Sequence, residues 1–417
     1  MTSVATAVPA TARRTGDARN AAVVTGMSAV TAIGVGLEEY WRNLLAGACG
    51  IRPITRFDTT GYPLRVAGEI PDFDSARVPS RLVVQTDRWT HFGLLAGELA
   101  LAHAGVDPAE LPEYELSVHT ASGSGGNEFG QRELQALWAE GPSRVGVYQS
   151  IAWFYAATTG QLSIRHGMKG WSGVLVAEQA GGLDVVAQAR RSLAQGSAVV
   201  LTGATEAALN PAAFTSQIAG GMLSPVGEYL PFDEAAGGYL PGEGGAMFVV
   251  EPAERAVARA ARPYGVVAGH AATFDPAPGR GRPPGLRRAV ETALADAGVA
   301  PSDVDVVFAD AHGHPSADAA EARVLTEVFG PRGVPVTTTK AATGRLVAGS
   351  AALDVVTALL AMRDGVIPPM VNVRRPAFEI DLVLGRPRPA ALRTALVLAR
   401  GYPGFNAALV LRAAAQN

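Results

Sequence analysis

The segment Val174–Asp184 combines an apolar run, a turn of small residues and the first turn of an alanine-rich helix. A strand-to-helix elbow of this kind lifts one side chain above a helix N-terminus, where backbone N–H groups and the helix dipole stabilise negative charge. A cysteine at that point would be acidified into a nucleophile for acyl transfer. The chain carries Gln179 there instead. Because an amide cannot form a thioester, the sequence indicates an acyl-transfer scaffold without its nucleophile.

Three other residues, His312, His314 and Cys49, have side chains that can take part in chemistry. His312 and His314 follow a predicted strand, and a His-x-His pair can begin a metal site. No cluster of carboxylates or cysteines accompanies the pair, so we predict no metal site. The single cysteine, Cys49, is expected to be a small buried or half-buried residue and not a nucleophile. One cysteine also excludes an intrachain disulfide, which fits a reducing cytoplasm.

The glycine-rich stretches Ser122–Gly126 and Gly242–Gly245 lack the Gly-x-Gly-x-x-Gly spacing of dinucleotide sites. They are interpreted as tight packing turns, and no cofactor is predicted. No Gly-x-Ser-x-Gly elbow occurs, which argues against a serine hydrolase.

Composition places the chain among ordinary globular proteins, with 417 residues, 18% charged residues and a net charge of −3. Because it has no basic run with interleaved aromatics, nucleic acid is not expected as a partner. The uncharged segment Ala207–Gly227 contains Asn, Ser, Gln, Pro and several Gly, so it is predicted to be loop and turn and not a membrane span.

The elements that must position these residues follow an alternating pattern. Strands are predicted at Ala22–Val30, Glu115–Ser122, Gly173–Glu178, Ala198–Thr205, Ala246–Glu251, Tyr264–Thr273, Asp303–Ala309, Val334–Thr339, Thr394–Arg400 and Asn406–Arg412. Helices are predicted at Glu38–Leu45, Glu128–Ala139, Ser150–Arg165, Gly181–Ala194, Gly285–Ala297, Ala317–Val328 and Val347–Arg363. This alternation favours an α/β fold with a mostly parallel sheet covered by helices.

Two similar halves share this pattern. We expect residues 1–20 to be a disordered tail, residues 21–255 to form the first half and residues 256–417 the second. The loop Asp275–Pro284 is too short to separate independent domains, so the halves should form one compact, duplicated unit.

Several separated motifs, in matching order and spacing, resemble the β-ketoacyl synthases of the thiolase fold. They are Val24-Thr25-Gly26, Gly203-Ala204-Thr205-Glu206, Pro231-Phe232-Asp233, Gly238 to Ala246, Lys340 and Gly344. The segments Val176–Asp184 and Thr343–Leu346 resemble more narrowly the chain-length factors of bacterial type II aromatic polyketide synthases. The resemblance implies a thiolase-like fold of five layers, αβαβα.

The resemblance also assigns the site. In condensing relatives a cysteine takes the acyl chain, and two histidines stabilise the enolate formed when malonyl loses carbon dioxide. Here those three places fall on Gln179, His312 and Arg345, so the site is vestigial and no catalytic residue is expected. The turn departs from the relatives at His314, and Lys340 is expected to order the same loop.

The resemblance further implies a tunnel for the growing polyketide between two subunits. Its lining positions in this chain are Asn127, Gly130 and Leu134, with Ala212 and Ala213 facing them. Members that make shorter chains carry bulky aromatics at some of these places. Since packed interiors cannot fully close a vacated volume, small residues here predict a product longer than an octaketide. Refilling by other side chains is the alternative.

The implied function is that of a non-condensing subunit that pairs with a ketosynthase in the cytoplasm and receives substrate from an acyl carrier protein through its phosphopantetheine arm. One alternative is a malonyl-carrier-protein decarboxylase acting through Gln179, although such enzymes are expected to keep both histidines and Arg345 breaks that pattern. A homodimeric thiolase relative and a scaffold without ligand are further alternatives. The aromatic segment Ser150–Ala157 fits either an interface or core packing.

Overall fold

The computed structural model describes residues 21–71, 73, 75–277 and 281–414. The predicted disordered tail, residues 1–20, lies outside the described residues. Strands of the first half are β1 (Ala22–Met27), β2 (Val30–Thr31), β3 (Gly34–Val35), β4 (Arg52–Pro53), β5 (Val66–Ala67), β6 (Leu116–Ala121), β7 (Gly173–Leu175), β8 (Val199–Ala207) and β9 (Glu243–Pro252). Its helices are α1 (Leu37–Leu45), α2 (Ser80–Val83), α3 (Arg88–Ala104), α4 (Asn127–Glu140), α5 (Gln149–Ala152), α6 (Ala157–His166), α7 (Gly181–Ala194), α8 (Pro211–Ala219) and α9 (Ala253–Ala258).

The second half repeats the arrangement. Its strands are β10 (Gly265–Phe274), β11 (Val306–Phe308), β12 (Pro335–Thr337), β13 (Val366–Ile367), β14 (Asp381–Leu382), β15 (Arg388–Pro389), β16 (Thr394–Gly401) and β17 (Phe405–Ala413). Its helices are α10 (Leu286–Ala297), α11 (Pro315–Phe329), α12 (Lys340–Thr343) and α13 (Ala348–Asp364).

The main sheet runs in the order β14-β12-β11-β16-β17-β10-β1-β9-β8-β6-β7. The two halves meet where β1 pairs antiparallel with β10, with Val23 opposite Val266. Parallel pairs occupy the two outer regions, whereas β8–β9, β1–β9, β10–β17 and β16–β17 are antiparallel. The sheet is therefore mixed, and the prediction of a mostly parallel sheet is wrong. The sequence analysis predicts the last two strands, Thr394–Arg400 and Asn406–Arg412, as a pair, and β16 and β17 do pair antiparallel.

Helices enclose this sheet in five layers. Helices α3 and α6 cover the outside of the first half, and α10 with α11 covers the outside of the second. Between the halves, α7 packs on β6, β8, β10 and β17, while α13 packs on β8, β9, β16 and β17. Every residue of α13 from Ala348 to Met362 is buried. A helix that is apolar all round belongs in such a central layer, and the five-layer thiolase-like prediction is confirmed.

Five helices were missed by the sequence analysis: the short helices α2, α9 and α12 and the longer helices α3 and α8. Helix α3 is buried on nearly all sides, so its residues show little of the one-sided pattern that marks surface helices. Asp87 caps its N-terminus by accepting a hydrogen bond from the backbone N–H of Trp89 at 3.2 Å. Helix α8 lies inside Ala207–Gly227, where loop was predicted; Asn210 caps it, and Pro211 fits its first turn.

The helix predicted at Ser150–Arg165 is broken in two. Helix α5 ends at Ala152 and α6 begins at Ala157. The break follows from the close approach of this segment to the loop Ser122–Gly126, since a Cβ on Gly126 would lie 2.0 Å from the carbonyl oxygen of Ala152. The chain turns there instead of continuing as helix.

The stretch Gly242–Gly245 is not a turn, because β9 begins at Glu243. A Cβ on Gly244 would lie 2.1 Å from the carbonyl oxygen of Val30, and its φ is +118°. Only glycine allows the two strands to approach so closely. Within the described residues, no helix is long and apolar enough to cross a membrane.

Candidate functional site

The site begins at the predicted elbow. Strand β7 ends at Leu175 and α7 begins at Gly181, and the chain between them turns through Glu178, whose φ is +48°. A non-glycine residue in the left-handed region is strained and needs support from its surroundings. The turn places Gln179 immediately before α7 with a side chain that is 0% exposed. The expected nucleophile position is therefore sealed inside the folded chain.

A buried carboxylate, Asp310, connects the elements around Gln179. It accepts a short hydrogen bond from Gln179 Nε2 and one of 2.8 Å from the backbone N–H of Arg400. Arg345 donates to both of its oxygens, with Nη2 3.2 Å from Oδ1 and Nη1 3.3 Å from Oδ2. Two oxygens facing one guanidinium form the bidentate geometry that makes such pairs strong. Gln179 and Arg345 are thus brought together through a residue that the sequence analysis did not select.

Electrostatics keep this pair charged. Burial favours the neutral carboxyl group, but Arg345 and Lys340 hold the pKa of Asp310 below its usual range. Burial likewise opposes the charge on Arg345, and the neighbouring carboxylates keep its pKa above the ordinary value. Arg345 also donates to the carbonyl oxygen of Arg400 at 2.6 Å. The Arg345 guanidinium is therefore held by Asp310 and by the backbone of Arg400.

Two further acids hold the loop that carries Asp310. The carboxylate of Glu321 accepts hydrogen bonds of 2.8 Å from the backbone N–H groups of Asp310 and Ala311. Asp318 accepts from Gly313 N–H at 2.9 Å and Phe232 N–H at 2.7 Å. Burial raises the pKa of each acid to about 7. Both lie in α11, so this helix fixes the turn between Asp310 and Gly313.

Lys340 lies on the other side of the same turn. It is fully buried, donates from Nζ to the carbonyl oxygen of Ala309 at 2.9 Å, and forms a short ion pair with Asp354. Thr339 donates to the other oxygen of Asp354 at 2.9 Å. This lysine therefore joins α12 and α13 to the end of β11.

His312 lies two residues beyond Asp310, and its imidazole packs against the aromatic ring of Tyr239. Its imidazole makes an edge contact with Tyr239, with ring centroids 5.1 Å apart, and its buried Nδ1 has no partner. Burial and the nearby Arg345 lower the pKa of His312 to about 3. The other histidine of the turn, His314, has a different partner: its Nδ1 lies 3.0 Å from Ser316 Oγ, within hydrogen-bond distance.

We predict that His312 stays neutral throughout the physiological range. An unfolded histidine titrates near pH 6.5, so between about pH 6.5 and 3 only the unfolded chain binds this proton, and the free energy of unfolding falls as the pH drops through that window. Titration of ¹³C-labelled histidines by NMR, with His312→Gln for assignment, should show no change at His312 above pH 5. A midpoint near 6.5 would contradict the burial argument.

The positions assigned to the tunnel lie on α4 and α8 at the surface of this chain. The two helices are adjacent, because the backbone N–H of Ala212 donates to Gln131 Oε1 at 2.9 Å. Leu134 is 51% exposed, and Ala212 is exposed. Gly130 differs, because it is buried and a Cβ there would lie 2.8 Å from the indole of Trp153. Four of the five positions are at least partly exposed: Asn127, Leu134, Ala212 and Ala213. The fifth, Gly130, lies beneath Trp153.

Two candidates from the sequence remain, a metal site and Cys49. Among the residues that the structure describes, no group of three His, Cys, Asp or Glu side chains could hold a metal ion. Cys49 is exposed, so the expectation of a buried or half-buried side chain is wrong. It follows α1 in a short turn at the surface, where its sulfur lies 3.7 Å from the carbonyl oxygen of Ala341.

Comparison with known proteins gives consistent results. Residues 19–256 match the family model of the β-ketoacyl synthase N-terminal domain, and residues 264–374 match that of the C-terminal domain. The chain is 57% identical over 399 residues to the tetracenomycin polyketide synthase ketoacyl synthase beta subunit of Streptomyces glaucescens, covering 94% of this chain and 98% of that one. It is 32% identical to the 3-oxoacyl-[acyl-carrier-protein] synthase 2 of a Synechocystis species, covering 94% and 97%. The solved structure of the ishigamide ketosynthase/chain length factor is similar, with a TM-score of 0.87, 28% identity and coverage of 95% and 100%.

Proposed function

Because this chain belongs to the β-ketoacyl synthase family, we propose that it is the chain-length factor of a type II polyketide synthase, a non-condensing subunit paired with a ketosynthase. The observation that carries this proposal is the sealed elbow, where Gln179 replaces a nucleophile and is bound by Asp310. Without a thiolate no acyl-enzyme can form. The subunit would then form no covalent bond with the substrate and would act by bounding the space in which the polyketide grows.

The exposed apolar surface supports an obligate partner. Of the sixteen large hydrophobic side chains that are exposed among the described residues, ten lie between Leu134 and Val176. Trp153, Phe154 and Tyr155 are among them, which argues against the core-packing interpretation of Ser150–Ala157. Exposed aromatic side chains concentrated in one segment are typical of a protein interface. Strand β7 also lies at the edge of the sheet in this region.

A tunnel between this chain and the ketosynthase would be bounded here by α4 and α8. Asn127, Leu134, Ala212 and Ala213 are small or medium and partly open, whereas Gly130 is covered by Trp153. We propose that the open volume admits a product longer than an octaketide. A carrier protein with a phosphopantetheine arm would deliver malonyl units to the ketosynthase, and this chain needs no cofactor. The lone Cys49 supports a cytoplasmic location.

The isolated chain is expected to gain no covalent acyl group from an acyl carrier protein thioester. Gln179→Cys should not restore transfer, because the Asp310 carboxylate beside position 179 would raise the pKa of a thiol there. Intact-mass measurement of wild type and variant after incubation with the thioester checks both. A wild-type adduct at any residue would contradict the proposal.

A decarboxylase acting through Gln179 is the competing function. One N–H of the Gln179 amide is donated to Asp310, and its buried Oε1, which has no partner, can only accept a hydrogen bond. An enolate is stabilised by hydrogen-bond donors, so this unpartnered oxygen does not favour the decarboxylase. Carbon dioxide release from labelled malonyl carrier protein should be equal for wild type and Gln179→Ala in the assembled heterodimer. Loss of release with intact assembly would favour the decarboxylase.

A further inference from the structure

Helix α4 begins without a capping side chain of its own. Its N-cap position is Gly126, which has no side chain to accept hydrogen bonds from the N–H groups of the first turn. Those N–H groups have no partner inside a helix and need an acceptor from elsewhere. For the N–H of Phe129 the acceptor is Oδ2 of Asp87, at 2.7 Å. The start of α4 is therefore held by a residue that belongs to the start of another helix.

The same carboxylate caps α3. Asp87 is the residue before this helix, and its Oδ1 accepts from the N–H of Trp89. The side chain is 1% exposed, and a Cβ on Gly126 would lie 3.0 Å from the Cβ of Asp87. A carboxylate has two oxygens that accept hydrogen bonds, and its bonds to N–H groups are charge-assisted. One buried side chain thus links the starts of α3 and α4.

Packing of apolar side chains does little to position α4. Only Phe129 and Gly130 of its fourteen residues are buried, whereas α3 buries twelve of its seventeen. Two other polar contacts lie near its start. The ion pair of Glu128 with Arg56 is partly exposed and contributes little, and the hydrogen bond of Gln131 leads to α8, in which a single residue is buried. The link to α3 is therefore the contact that fixes α4 to the core.

A second buried acid holds the loop before α4. Glu206, near the end of β8, is fully buried and accepts a short hydrogen bond from the N–H of Gly123 and one of 2.6 Å from Ser124 Oγ. The loop contacts the aromatic segment, since the N–H of Gly126 donates to the carbonyl oxygen of Trp153 at 3.2 Å. The loop, α4 and Trp153 therefore form one surface unit that two carboxylates attach to the core.

We propose that Asp87 is a positioning residue for assembly with the ketosynthase: by capping α3 and α4 together, it holds α4 and the adjacent aromatic segment in the arrangement that the partner binds. This inference rests on the proposed function, and it concerns a residue outside every motif that the sequence analysis selects. Because Asp87 is buried, it acts through α4 and not by touching the partner. A surface that is already ordered binds more tightly, since no ordering has to accompany binding.

The variant Asp87→Ser separates the two caps. Serine is also a good N-cap for α3, but its single oxygen on a shorter side chain leaves the N–H of Phe129 without an acceptor. In the full chain, hydrogen exchange measured by mass spectrometry should become about tenfold faster in residues 127–140 and stay unchanged in residues 88–104. The dissociation constant of the co-expressed heterodimer, measured by mass photometry on dilution, should rise by about tenfold.

A second variant and a control isolate the cause. Asp87→Asn keeps the size of the side chain and one acceptor oxygen, so it should show the same difference between α4 and α3 at smaller amplitude. Glu251→Gln is the control, because it neutralises another buried acid whose partners, Thr25 and Arg259, lie outside this surface unit. The control should lower the stability of the chain but leave the exchange of α4 and the dissociation constant at their wild-type values.

Three outcomes would overturn the role of Asp87. One is faster exchange in α4 with an unchanged dissociation constant, and another is exchange in α3 and α4 that changes together, or not at all, in both Asp87 variants. The third is an equal rise of the dissociation constant in Glu251→Gln, because the effect would then follow overall stability. All three leave the chain-length function standing. The proposed function fails separately if the wild-type chain forms no complex with the ketosynthase.

Discussion

Replacing Arg345 by methionine is expected to lower the free energy of unfolding by roughly 3–5 kcal/mol, because it leaves the Asp310 carboxylate buried without its cation. Asp310 is 0% exposed and Arg345 is 3% exposed, so water cannot take over the lost interaction. The backbone N–H of Arg400 and the amide of Gln179 would remain as its neutral donors. Urea denaturation of the chain, followed by circular dichroism, measures the change.

A matched control variant and a double variant test whether the lost ion pair causes the loss of stability in Arg345→Met. Arg374→Met removes an exposed ion pair with Glu228 and should cost about 1 kcal/mol or less. The double variant Arg345→Met, Asp310→Asn should recover much of the loss, because the neutral amide removes the unpaired buried charge and keeps an oxygen that accepts from Gln179 and from the Arg400 backbone N–H. Equal losses for Arg345→Met and Arg374→Met, or no recovery in the double variant, would show that the pair does not carry this stability.

The same ion pair leads us to expect that no single substitution at position 179 would give the chain condensing activity. A condensing site must leave its cationic and donor groups free for the substrate. Here the donors of Gln179 and Arg345 are used by Asp310, and the loop of Asp310 is fixed by two acids of α11. Recovering catalysis would require several coordinated substitutions. The buried charges have become part of the core that holds the two halves together.

Local pattern predicted much of the fold and some of the site. Helix α7 has the predicted bounds, Gly181–Ala194, because its apolar spacing and the elbow before it are both visible in the sequence. Helix α3 was missed because burial on nearly all sides removes the one-sided pattern. Helix α8 was missed because it is short and lies in a stretch that contains Asn, Pro and several Gly, and its cap at Asn210 was not recognised. Both failures concern elements whose form depends on their neighbours.

Asp310 could not have been selected from its local sequence. Its partners Gln179, Arg345 and Arg400 are 131, 35 and 90 residues away along the chain. Only the fold brings them together, so spacing gives no information on the pairing. A weaker signal was present, since one acid ends the apolar run Val306–Ala309. Because an unpaired buried charge is costly, a charged residue at the end of a buried strand predicts a partner of opposite charge elsewhere in the fold.

Leu134→Trp is expected to shorten the polyketide, because a bulky indole at this exposed position of α4 would fill volume that leucine leaves open to the growing chain. Leu134 is the better test than Gly130, where a new side chain would first collide with the indole of Trp153. Products of the co-expressed heterodimer, separated and weighed by mass spectrometry, give the chain length directly.

Leu134→Met is the matched control, since methionine is close to leucine in volume and should leave the main product unchanged. An unchanged main product from an intact Leu134→Trp heterodimer would mean that the polyketide does not follow this face of α4, and the assignment of position 134 to the tunnel would then be wrong.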